Sequence, residues 1–169
     1  MQKLSQRHLR KISKLEGCID ELINKMRAAV KKDKTVADKF KEYHISLDDI
    51  DTVPVCFCDL EVSAKTKDKK IYLNKNMLSK ENPFEFAIPY LAHELVHYLQ
   101  QSTGKNLTKN KADDYLDKPT EMEAFQTQVE FKKENEDEGQ AEEYVDKLLD
   151  YHNIGGRERK EKEQELLGE

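Results

Sequence analysis

Phe84-Glu85-Phe86-Ala87-Ile88-Pro89-Tyr90-Leu91-Ala92-His93-Glu94-Leu95-Val96-His97-Tyr98-Leu99 is the stretch whose reading decides the fold. Its apolar residues at 88, 91, 92, 95, 96 and 99 recur at the spacing of one buried helical face. His93 and His97 lie four apart on a neighbouring face, so both imidazoles reach one metal ion. Glu94, next to the first histidine, is placed to take a proton from a metal-activated water. With 5 His and 20 Glu in 169 residues, accidental H-E-x-x-H matches are expected at roughly 0.02 per chain. A charged helix with two surface histidines is the reading to beat. Asn82 followed by Pro83 has the form of an N-cap with proline at the first helical position. Pro89 removes an amide donor and is expected to kink the helix or mark its start.

Two imidazoles need a third protein ligand. Gln100 stands where a Gly would lie in the longer H-E-x-x-H-x-x-G-x-x-H pattern, and Thr103 where its third His would lie. A carboxylate from a following helix is the other common solution. Pro119-Thr120-Glu121-Met122-Glu123-Ala124-Phe125 offers two. Thr120 and Glu123 have capping-box spacing, which makes Glu123 a cap. Glu121 shares a face with the more apolar Ala124, Phe125, Gln128 and Val129, which makes it the ligand. Both could also be ordinary acids favoured by a helix N-terminus. Zinc suits this donor set.

These two motifs, His93-Glu94-x-x-His97 and Glu121-x-Glu123-Ala124, resemble the minimal zincin metallopeptidases with a glutamate ligand, nearest to the small ImmA/IrrE-like and phage-encoded group. The resemblance covers about residues 70–132. It implies one Zn2+ held by His93, His97 and Glu121, and peptide-bond hydrolysis with Glu94 as general base. A catalytically silent zincin-fold binding or regulatory protein is the alternative. In that group an Asn or Asp often follows the ligand by four residues to orient a histidine; here the position is Phe125. The resemblance also implies an edge strand that pairs with an extended peptide, for which residues 71–74 are the candidate. Tyr115, six residues before Glu121, is a candidate donor to the oxyanion of the attacked carbonyl. His44 and His152 are weaker candidates.

The remaining sequence supplies an α+β fold: a minimal zincin-like domain with a small mixed sheet and several flanking helices. One domain spans 1–156, and a charged tail follows at 157–169. Residues 4–31 read as an amphipathic helix through Leu9, Ile12, Leu15, Ile19, Leu22, Ile23, Met26 and Val30. Its broad stripe favours packing on the domain, leaving a monomer or a weak homodimer through this helix. A second helix covers 35–44. Strands are expected at 53–63 and 70–73, with a polar turn at 66–69. Residues 100–118 have no periodicity. Ala141, Tyr144, Val145, Leu148, Leu149 and His152 are expected to form another amphipathic helix, stopped by Gly155-Gly156. The tail is almost wholly charged and is expected to be frayed or disordered.

Charged residues make up 37% of the chain and the net charge is −5, which argues against nucleic acid as a partner. The partner expected is a peptide or protein substrate. No stretch approaches a membrane span, and residues 1–10 lack an apolar leader core. Three cysteines fit free thiols in a cytoplasmic setting, a host cytoplasm if the chain is viral. Cys56 and Cys58 read as buried structural thiols in preference to a metal-binding C-x-C.

Overall fold

The computed structural model describes residues 6–105 and 115–169. The fold is α+β, with six helices and a three-stranded mixed sheet among the described residues. Helix α1 (Gln6–Lys32) and α2 (Lys34–Glu42) come first. Strands β1 (Val55–Cys58), β2 (Ala64–Lys67) and β3 (Lys70–Asn74) follow, then α3 (Pro83–Ser102), α4 (Pro119–Asn135), α5 (Glu138–Tyr151) and α6 (Gly156–Leu167). No helix among the described residues is long and apolar enough to cross a membrane.

The turn between α1 and α2 shows how local chemistry sets the fold. The Asp33 carboxylate accepts from the Val36 amide at 3.0 Å, which satisfies an orphan donor of the first helical turn. Its other oxygen accepts from Asn135 Nδ2 at 2.8 Å, tying the end of α4 to the start of α2. The C-terminal half of α1 is anchored: Ile23, Met26 and Val30 are buried, whereas Leu15 is exposed. The side chains of Leu9 and Ile12 lie outside the described residues.

The strand order is β1-β3-β2, with β1 parallel and β2 antiparallel to β3. This corrects two expectations. Thr66 and Lys67 are strand residues, and the turn is reduced to Asp68 and Lys69, with φ of 52° and 60°. Left-handed backbone at both positions is what a tight two-residue hairpin requires. The 71–74 segment is also central, not an edge: Ile71 and Leu73 alternate into the core and pair on both sides, so β2 is the edge strand nearest α3. Cys56 is exposed and Cys58 half-buried, so they are not the buried thiols expected. The outward face of β1 carries both, because Val55 and Phe57 take the inward positions.

Helix α3 starts with Pro83 behind the Asn82 cap and runs unbroken through Pro89. Ile88, Leu91, Ala92, Leu95, Val96 and Leu99 are all buried. Burying a leucine contributes about 1.5–3 kcal/mol, so this face fixes the helix's rotation. It packs with Met26, Phe40, Ile50, Ile71, Leu73 and Phe131 in one core. A second core joins Leu116, Met122, Phe125, Val129, Val145, Leu149 and the C-terminal Leu166 and Leu167.

Those two leucines correct the expectation of a disordered tail. Residues 157–167 form most of α6, which closes on a left-handed Gly168 with φ 72°. Arg159 bonds Asp146 and Asp150, both at 2.8 Å, and Gln126 donates to the Glu165 carbonyl at 3.0 Å. Two apolar residues at the far end of a charged run, with these polar ties, dock it.

Candidate metal centre

Helix α3 places His93 and His97 one turn apart, and α4 brings Glu121 against them. The two Nε2 atoms lie 3.2 Å apart. Glu121 Oε2 is 3.2 Å from His97 Nε2 and 3.7 Å from His93 Nε2. Three donors thus converge on one point, all within 4.8 Å of one another. Two imidazoles and a carboxylate are a suitable set for one divalent ion.

The electrostatics agree with that convergence. Burial works against a charged His97, but the hydrogen bond and charge of Glu121, with Glu94 beside it, outweigh this and push its pKa up to about 9. Burial likewise opposes ionisation of Glu121, yet hydrogen bonds from His93 and His97 hold its carboxyl far below the usual range. Protons here hold together ligands that a cation would otherwise unite.

His97 is oriented from behind. Its Nδ1–H donates to Gln100 Oε1 at 2.8 Å. Gln100 Nε2 donates in turn to the Thr120 carbonyl at 2.9 Å and to Glu123 Oε2 at 2.8 Å. The amide's orientation is fixed by these two acceptors, so Oε1 must face the ring and Nε2 of His97 is left to face the triad. Gln100 is fully buried. The sequence reading used it only as a mismatch to a longer motif. Its signal was spacing, three residues after a ligand on the same helix.

Glu123 is not a cap, as the capping-box spacing had implied. Helix α4 begins two residues earlier, with Lys118 as cap residue in place of Thr120, no side-chain cap bond and Pro119 at the first position. Glu123 is released to accept from Tyr43 (2.7 Å) and Lys105 (3.1 Å) besides Gln100, with Lys39 at 3.3 Å. Burial opposes its ionisation, but the bonds from Gln100, Tyr43 and Lys105 prevail and bring its pKa down to about 2.

Phe125 occupies the place where an orienting polar residue was sought. Its ring meets that of His93 edge-on at 4.6 Å between centroids, and His93 Nδ1 is buried without a hydrogen-bond partner. Behind the triad, then, the outer nitrogen of His97 is hydrogen-bonded to Gln100, whereas His93 meets the Phe125 ring and its Nδ1 finds no partner among the described residues.

Glu94 is only 4% exposed. Its Oε2 accepts from Thr66 Oγ1 of β2 at 2.7 Å, and the same hydroxyl lies 3.1 Å from the Glu94 carbonyl. One carboxylate oxygen is thus anchored on the strand. Thr66 fell inside the expected turn, which hid its role.

Tyr115 stands at the rim, 41% exposed. Its ring stacks on His152 at 5.7 Å and meets Phe125 at 6.1 Å. Burial of the hydroxyl, with Glu121 as charge and hydrogen-bond acceptor, raises its pKa far above the usual value, so it stays a donor. His152 belongs to this aromatic rim. His44 is an exposed turn residue with φ 55°, outside the triad. Residues 106–114 of the segment expected to be aperiodic lie outside the described residues; within it, α3 extends to Ser102 and Tyr115–Asp117 forms a short 3-10 turn.

No protein-family model matches the chain, and no curated protein or solved structure matches it significantly.

Proposed function

We propose that this protein is a zinc-dependent peptidase. The observation that supports the reading best is Glu94, a buried carboxylate in the helical turn between the two histidines with one oxygen held by Thr66. A carboxylate fixed in this way, beside the first histidine, has the position a general base needs. The donor set, with His97 turned by Gln100 to present Nε2, suits Zn2+. When bound, the ion would supply an acidified water and polarise the scissile carbonyl. Glu94 would accept the proton of the attacking water and return it to the leaving amine, so its free oxygen carries the proton in both directions. Tyr115 Oη, which stays protonated and bonds Glu121, has a proton to offer a developing oxyanion. The exposed edge of β2 would align an extended peptide beside Glu94.

The partnerless Nδ1 of His93 favours a second reading, a metal-holding scaffold that binds peptides without cleaving them. Elemental analysis of protein purified without chelators, followed by cleavage assays on a proteome-derived peptide mixture, separates the two. The peptidase reading expects one zinc per chain and cleavage that Glu94→Gln abolishes with zinc retained. Equal cleavage by wild type and Glu94→Gln overturns it.

A further inference from the structure

The β2–β3 hairpin carries a charge arrangement that the fold does not need. In Ala64-Lys65-Thr66-Lys67-Asp68-Lys69-Lys70, the register pairs Lys67 directly with Lys70 and Lys65 with Tyr72. Side chains alternate along a strand, so Thr66 points to α3 and Glu94 while Lys65, Lys67 and Lys70 share the opposite, outer face. Like charges directly opposite each other across an antiparallel pair destabilise it. All four lysines are exposed, and none of their amines has an ion-pair partner among the described residues. Lys65 is partly ordered, with Nζ 6.0 Å from the Tyr72 ring centroid. Four lysines against the single Asp68 also run counter to a chain of net charge −5.

We propose that this hairpin is a docking surface for an acidic, Asp- and Glu-rich segment of a protein substrate. The inference rests on the peptidase reading, because it is β2 that joins the lysines to the reaction centre: one face of the strand holds Glu94, the other concentrates positive charge. An acidic chain is drawn to the hairpin and repelled by much of the remaining surface, which gives both orientation and selectivity. A peptide fits better than a nucleic acid, since the outer edge of β2 pairs with no strand among the described residues and, apart from the Thr66 carbonyl held by Gln101 Nε2 at 3.0 Å, leaves its backbone to an extended chain. Edge lysines also discourage pairing between copies of a sheet. Glutamates serve that end equally well, so charge reversal isolates the sign of the charge from edge protection.

The test uses full-length, zinc-supplied protein carrying Glu94→Gln, which should hold a peptide without turnover. Fluorescence anisotropy follows a labelled Glu/Asp-rich decapeptide, its Gln/Asn counterpart and an oligouridylate of the same charge. The proposal expects the acidic peptide to bind at least roughly tenfold tighter than the neutral one, and to weaken as salt rises from about 50 to about 300 mM. Adding Lys65→Glu, Lys67→Glu and Lys70→Glu should remove that preference while the thermal midpoint stays the same or rises. Equal binding of acidic and neutral peptides, an unchanged preference after reversal, or tighter binding of the oligouridylate overturns it. Zinc content measured on the same samples keeps the two claims apart. Selective binding without zinc supports the docking surface and sinks the peptidase, whereas zinc without selectivity does the reverse.

Discussion

Gln100 accepts the Nδ1–H of His97 at 2.8 Å while its own amide hydrogens are committed to Thr120 and Glu123. Whenever His97 is neutral, this bond therefore keeps its proton on Nδ1 and turns the Nε2 lone pair to the triad. Gln100→Leu keeps the volume and removes the acceptor. Outer partners of this kind are worth about 10–100-fold in metal affinity, so competition with a chromophoric chelator should show a loss in that range. A loss of less than twofold would show that packing alone orients His97.

His93 makes the complementary case, since Phe125 packs against its ring and its Nδ1 has no hydrogen-bond partner among the described residues. His93→Ala should remove metal binding and leave a fold that zinc no longer stabilises. Ligand linkage adds about 2.7 kcal/mol at a hundredfold excess over Kd. A zinc-dependent rise in melting temperature is expected in wild type and should vanish in the variant.

Glu123 predicts an acid limb of stability. Its carboxyl titrates at about 2 in the fold against an ordinary 4.5, so its contribution is complete above pH 4.5 and is lost as pH falls towards 2. Urea midpoints across that window should drop more steeply in wild type than in Glu123→Gln. Above pH 5 the variant should be less stable, by about 1–3 kcal/mol for a part-buried group that loses charged partners. Parallel pH profiles would remove Glu123 from the account.

Leu166 and Leu167 test the C-terminal helix. Both are buried in the second core, so Leu166→Ala should cost about 2–5 kcal/mol. Equilibrium denaturation checks this. A cost below about 0.5 kcal/mol, the range of surface substitutions, would mean that α6 is not docked.

The convergence of His93, His97 and Glu121 was legible because each step used local geometry. The four-residue step sets His93 beside His97, and the apolar face of α4 separates Glu121 from Glu123. What escaped was non-local or depended on a helix boundary. Glu123 was misread because Lys118, not Thr120, caps α4, a shift of two positions that cancels the capping box. Thr66 was hidden because a lysine-rich segment looks like a turn until β3 is found to be the central strand. Gln100 gave no periodic signal of its own: a polar residue on a buried face is decided by partners far along the chain, here Thr120 and Glu123. The tail showed the opposite error, since average charge concealed two leucines that dock it.

Phe125 belongs to the second core, yet its ring lies against His93, on the helix that forms the spine of the first. A cation shared by α3 and α4 would act as a rivet through the seam between these two halves. Melting of the stripped chain should then spread over separable steps, and loading should merge them into a single sharp transition.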